Sequence, residues 1–145
     1  MTMKIYLADD DSEDREFFSD ALTELPIEIT LKTFQNGVEL MADLFSDELL
    51  PEAIFLDLKM PMMDGFECLS DIKAEKKFAD IDVIIYSTLM NEWEIGKLQE
   101  IGANGFLQKP TSFNQLKTIL YKCLETIKKN KIVDKTNTLK FSILK

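Results

Sequence analysis

The chain has 145 residues, 46% of them hydrophobic and 30% charged, with 5 Gly and 4 Pro, which suits one folded domain and excludes disordered, collagen-like and low-complexity classes. Its 17 Lys+Arg against 26 Asp+Glu give a net charge of -9, which argues against a surface built to hold nucleic acid or anionic lipid. Six lysines and one aspartate fall between Lys128 and Lys145, so this basic tail of +5 leaves -14 on residues 1–127.

The first apolar run, Ile5 to Ala8, is nearly continuous, as a buried parallel strand is, and leads directly into Asp9-Asp10-Asp11. A helix carrying Phe17, Phe18, Ala21, Leu22 and Leu25 follows; Asp10 with Glu13 would suit its cap at an isolated helix start, but the polar residues at the other strand ends favour a functional role for Asp10. The second run, Ile27 to Phe34, alternates apolar with polar residues, the pattern of a half-exposed edge strand. A helical pattern at Val38, Met41, Leu44 and Phe45 follows it.

The third strand, Ala53 to Leu56, ends in Asp57, and the helix after it is marked by Phe66, Leu69 and Ile72. Between them Met60, Met62 and Met63 read as packing residues, since a soft-metal site needs more sulfur or histidine, and the chain has no histidine. The fourth strand, Val83 to Tyr86, ends in Ser87-Thr88; the helix after it carries Ile95, Leu98 and Ile101 and stops at Gly102, where a left-handed cap is expected. Trp93, the only tryptophan, lies near the start of this helix and reads as either a partner anchor or a residue at the edge of the core, with the core edge preferred.

The fifth strand, Gly105 to Leu107, ends in Lys109-Pro110. A last helix with capping-box spacing at Ser112 and Gln115 carries Leu116, Ile119, Leu120, Cys123, Leu124 and Ile127. Cys68 and Cys123 have neither CxxC spacing nor a histidine partner and are expected as reduced, buried helix residues. In the tail, the alternation Leu139 to Ile143 suits a strand or an extended docking segment. No apolar run approaches the ~20 residues of a membrane span, and the N-terminal run is too short for a signal peptide, so a cytoplasmic protein is expected.

Strict alternation of strand and helix over short connections implies an α/β, doubly wound parallel sheet of five strands with helices on both faces. In such sheets ligands bind beyond the carboxyl ends of the strands. Four strands deliver Asp9, Asp10, Asp57, Ser87 and Lys109 to that edge. Clustered carboxylates there either raise a pKa or recruit a cation, and carboxylates with carbonyls and waters suit Mg²⁺. Lys109 adds a positive charge that a phosphoryl oxygen would use, and Ser87 a hydroxyl that can donate to it. An aspartate beside a metal, a lysine and a hydroxyl is the equipment for moving a phosphoryl group onto a carboxylate.

In this order and spacing, Leu7-Ala8-Asp9-Asp10-Asp11, Asp57 through Gly65, Tyr86-Ser87-Thr88 and Phe106-Leu107-Gln108-Lys109-Pro110 resemble the receiver domain of two-component response regulators, from about Met3 to Lys128. The resemblance implies the flavodoxin-like strand order 2-1-3-4-5, a receiver over residues 1–128, and a C-terminal extension over 129–145 with no separate effector domain. It implies Asp57 as phosphoacceptor and metal ligand, Asp10 as direct Mg²⁺ ligand, Asp9 acting chiefly through metal-bound water, and the Lys59 carbonyl as a further ligand. Ser87, the Thr88 backbone N–H, Lys59 and Lys109 would contact the phosphoryl group. Ser87 and Phe106 would form the switch, with Pro61, Gly65 and Pro110 structural, the last after a cis peptide that aims the lysine. The implied partners are a histidine kinase or histidine phosphotransfer protein and a downstream protein, with a homodimer open and neither nucleic acid nor membrane involved. The chain would catalyse its own phosphorylation and dephosphorylation without being a conventional turnover enzyme.

Some positions depart from the pattern. Met62 stands where a small residue is usual, Thr88 where alanine is, Phe106 lacks a tyrosine hydroxyl, and Lys59 places a long cation near Asp57. Two other readings compete. A phosphorylation-independent interaction module would keep the surface without the switch, and a flavodoxin-like cofactor binder would need a phosphate loop where this chain has three aspartates.

Overall fold

A computed structural model describes residues 2–46, 49–88, 90–133 and 143–144. Five strands, β1 (Met3–Ala8), β2 (Ile29–Phe34), β3 (Ala53–Leu56), β4 (Asp82–Ser87) and β5 (Gly105–Gln108), alternate with five helices. These are α1 (Ser12–Thr23), α2 (Gly37–Ser46), α3 (Gly65–Ala74), α4 (Glu92–Ile101) and α5 (Phe113–Val133). A two-residue strand, β6 (Ile143–Leu144), adds to the far edge, and the sheet order is β2-β1-β3-β4-β5-β6 with every pair parallel. The five expected strands thus take the order 2-1-3-4-5, with β2 at an edge. Of the tail's expected strand, Ile143 pairs beside Phe106, while Leu139 to Ser142 lie outside the described residues.

Period-two alternation splits the core. Ile5, Leu7, Phe55, Ile84, Tyr86 and Leu107 face α1 and α5, whereas Tyr6, Ala8, Ile54, Leu56, Ile85 and Phe106 face α2, α3 and α4. β3 and β4 are buried along their whole length because both their faces are covered. Phe18 joins helix to sheet, its ring edge-on to Phe55 and Tyr86 at centroid distances of 5.1 and 5.2 Å. Both cysteines are free and buried, on α3 and α5 as expected.

Helix ends follow local chemistry. Gly102 stops α4 at φ 121°, where a side chain would be strained, and its N–H bonds back to Leu98 and Gln99. The Ser112 hydroxyl accepts from the Gln115 N–H at 3.3 Å, the first half of the expected capping box. The cap of α1 is Asp11 and not the alternative Asp10: its side chain accepts from the Glu13 and Asp14 N–H groups. One residue's difference frees the Asp10 carboxylate from capping.

Met62 departs from its expected packing and Trp93 from the preferred core-edge reading, each being 71% exposed. The α4 cap uses Asn91 and Glu94, leaving Trp93 on the solvent side of the first turn. Met62 sits at φ 70°, a left-handed conformation that turns its side chain outward and explains why a small residue is usual there. Met60 is buried and Met63 partly buried, as packing residues should be.

Candidate functional site

The carboxyl ends of four neighbouring strands meet at one point. Ala8 pairs with Leu56 across β1 and β3, so the next residues, Asp9 and Asp57, stand side by side. The ladder runs one step past the strands: Asp9 N–H bonds to Phe34 O at 3.0 Å, Asp57 N–H to Ala8 O at 3.0 Å and Lys109 N–H to Ser87 O at 2.7 Å. Asp9, Asp57, Ser87 and Lys109 are therefore placed by sheet hydrogen bonds and not by a free loop. The loop after Asp57 is clamped as well, because a Cβ on Gly65 would lie 2.5 Å from Asp57 O and 2.7 Å from Leu58 Cα. Only glycine allows that approach.

Asp57 is 6% exposed and each of its carboxylate oxygens has a different partner. The Ser87 hydroxyl donates to Oδ1 at 3.2 Å, and the Lys109 ammonium donates to Oδ2 at 2.8 Å. Lys109 Nζ also lies 2.8 Å from Asp9 Oδ2 and 2.9 Å from Asp14 Oδ2, and 5.4 Å from the Tyr86 ring centroid. Burial alone would lower the pKa of this lysine, but the carboxylates of Asp57, Asp9 and Asp14 around it override that and hold the group far above its ordinary range. Lys109 is a fixed positive charge among acidic groups.

Asp9 is fully buried and its carboxyl is pushed up to about 6 by that burial, against the pull of Lys109 and of the Asp11 N–H and with the push of Asp57. Its Oδ1 accepts from Asp11 N–H at 3.0 Å. Its Oδ2 is in ion-pair contact with the ammonium and has no hydrogen-bond partner among the described residues. A buried carboxylate oxygen without a donor is costly unless a cation takes that place. Asp9, Asp10 and Asp57 each present a carboxylate oxygen to one spot, all within 4.8 Å of one another. That donor set fits a hard divalent ion such as Mg²⁺.

Asp9, Asp10, Asp57, Ser87 and Lys109 are thus brought together as the sequence suggested. The Lys59 side chain is exposed, as is Thr88, and Phe106 is buried on the α4 side of the sheet, paired with Ile85. The Lys109–Pro110 peptide is trans, contrary to the expected cis bond; the ladder bond to Ser87 O and the ion pairs direct the lysine instead. Asp14, Arg15 and Tyr86 were not singled out from sequence. Arg15 donates to the Asp9 carbonyl at 2.7 Å, and Asp14 and Tyr86 flank Lys109. Helical spacing from the Asp11 cap, which points the first turn back at the cluster, is the signal that could have found Asp14 and Arg15.

The family model described as the response regulator receiver domain matches residues 5–121. A chemotaxis protein CheY homolog of Campylobacter jejuni is 31% identical over 124 residues, covering 86% of this chain and 94% of the relative. The sensor histidine kinase CheAY of Helicobacter pylori is 29% identical over 117 residues, but the match takes in only 14% of that longer protein. Among solved structures, the Mn(2+)-bound response regulator Rcp1 superposes with a TM-score of 0.78 at 28% identity, covering 86% of this chain and 96% of that one. The phosphorylated cyanobacterial phytochrome response regulator RcpA also scores 0.78 at 28% identity, covering 96% and 99%. With the fold, the acidic cluster and the Ser87 and Lys109 contacts to Asp57 in agreement, this chain belongs to the response regulator receiver domain family, as a CheY-like receiver of two-component signalling.

Proposed function

We propose that the chain is a response regulator receiver that accepts a phosphoryl group on Asp57 from the phosphohistidine of a histidine kinase or histidine phosphotransfer protein. The supporting observation is the split environment of Asp57, with Ser87 on one carboxylate oxygen and Lys109 on the other, beside Asp9 and Asp10. A carboxylate oxygen attacks phosphorus, the P–N bond breaks, and its electron pair returns to the imidazole nitrogen, leaving an acyl phosphate on Asp57. Asp9, Asp10, Asp57 and the Lys59 carbonyl would hold Mg²⁺, which when bound neutralises charge on the phosphoryl oxygens. Lys109 pairs with another of those oxygens, while Ser87 and the Thr88 N–H donate to them.

Transfer of the Ser87 hydroxyl from Asp57 to the phosphoryl group draws the end of β4 inward, and the buried Phe106 beside Ile85 repacks in response. Phosphorylation so shifts an existing two-state equilibrium and changes which downstream partner binds. Chemistry is confined to the chain's own phosphorylation and dephosphorylation. Among the described residues no helix is long and apolar enough to cross a membrane, in keeping with the proposed cytoplasmic setting.

The test is intact mass after incubation of wild type and Asp57→Ala with a small phosphodonor, with and without Mg²⁺, and then with a phosphohistidine protein. One added phosphoryl mass only in wild type with Mg²⁺ supports the proposal. Equal uptake by Asp57→Ala, or no uptake from either donor despite Mg²⁺ binding, refutes it; the latter supports a phosphorylation-independent module.

A further inference from the structure

Away from the strand ends, α3 and α4 pack beside one another on the same face of the sheet, and a groove of about 640 Å³ runs between them. Its apolar lining comes from Met63, Phe66, Ile101 and the exposed ring of Trp93. Helix formation does not account for tryptophan at position 93. Asn91 and Glu94 complete the capping box between them, and a polar residue would serve equally well at an exposed first-turn position. An exposed tryptophan beside an apolar groove is what an interface anchor looks like before its partner arrives.

The α3 wall carries charge of one sign. Asp64, Glu67 and Asp71 follow one another at i, i+3 and i+7, and Lys97 is the single cation among the lining residues. Asp64 and Glu67 serve the α3 cap, but Asp71 lies beyond it and has no capping role. Their fields converge: the Cys68 thiol is pushed up to about 12, first by burial and then by Asp64, Asp71 and Glu67. Each helix has 10 residues, so the groove is matched in length by about three turns of a third helix.

We propose that the α3–α4 groove docks a basic amphipathic helix of a partner protein. A large apolar side chain of that helix seats against Trp93, Phe66 and Ile101, and its Lys or Arg residues face Asp64, Glu67 and Asp71. This is recognition of a helix in a groove, with charge selecting the partner and the apolar anchors holding it. It does not depend on phosphorylation of Asp57, and the test uses the unphosphorylated full chain.

The probe is a synthetic helix of about 18 residues made of Leu and Lys at amphipathic spacing, with a control in which Glu replaces every Lys. Neither contains tryptophan, so emission reports Trp93 alone. The Lys peptide is expected to shift emission to the blue and saturate at one to one; the Glu peptide is expected to leave it unchanged. Charge reversal at Glu67→Lys/Asp71→Lys should weaken binding at least about tenfold, and the milder Glu67→Gln/Asp71→Asn about threefold. The same reversal at exposed Glu16→Lys/Asp20→Lys on α1 should change it less than about twofold. Trp93→Ala, followed by calorimetry, should lose at least about tenfold. Circular dichroism establishes that each variant is folded. An unchanged Trp93 emission, or equal weakening by the α1 and α3 reversals, overturns the proposal. So does an emission shift that follows protein concentration without peptide, with dimers in sedimentation, because the occupant is then a second copy.

Discussion

Replacing Lys109 by methionine keeps most of the side chain's volume and removes its charge. The ammonium sits 2.8 Å from Asp9, 2.8 Å from Asp57 and 2.9 Å from Asp14. Asp14 is 40% exposed at its side chain, so water screens it and its loss counts for little. Asp9 and Asp57 are buried, and breaking a buried pair from one side costs about 3–5 kcal/mol when the remaining charge cannot escape. Here it can escape. With the Asp9 carboxyl already near 6, taking up a proton at pH 7 costs about 1.4 kcal/mol, which caps its share. The expected net destabilisation at pH 7 without divalent ions is therefore about 2–3 kcal/mol, or a fall in Tm of about 6–12 °C.

The sign with pH follows from the same group. A carboxyl whose folded pKa lies above the unfolded value of about 3.9 favours the fold when protonated, and that contribution is lost as pH rises through about 6. At pH 5 Asp9 is largely protonated already, so the deficit of Lys109→Met should shrink to about half. Millimolar Mg²⁺ at pH 7 should also reduce it by supplying the missing positive charge. Urea denaturation at both pH values, with and without Mg²⁺, measures this. A deficit below about 0.5 kcal/mol at pH 7, or one insensitive to both pH and Mg²⁺, would refute the electrostatic account.

Gly65→Ala forces its new methyl group against backbone at Asp57 and Leu58, which cannot swing aside as a side chain would; a loss of about 1–3 kcal/mol in urea is expected, with slower phosphoryl uptake by Asp57. Unchanged stability would mean that the loop yields freely. Met62→Gly relieves a positive φ while giving up little burial, and after the entropy cost of glycine should stabilise by about 0.5–1 kcal/mol; a destabilised variant would show that the methionine side chain holds the loop. Burial pushes the thiols of Cys68 and Cys123 up to about 12, so iodoacetamide at pH 8 should leave both unmodified in the native protein and label both in urea. Stoichiometric labelling of the native state, read by mass, would contradict their placement.

Sequence alone determined which segments are the five main strands, that β2 lies at an edge, that Gly102 ends α4, and that Asp9, Asp57, Ser87 and Lys109 stand at strand ends. These are local signals. Period-two and helical patterning, a glycine at a helix end and a polar residue after an apolar run are each written within a few residues, and a parallel sheet carries all its strand ends to one edge. Tertiary structure decided which oxygen of Asp57 faces Ser87 and which faces Lys109, and that Asp14 joins Asp9 around the ammonium. It also decided that Asp11 rather than Asp10 caps α1, and that Trp93 and Met62 face solvent. These depend on the rotation of each helix about its own axis and on the backbone angles of the loops. Packing between elements far apart in the chain sets both, and no short window of sequence contains them.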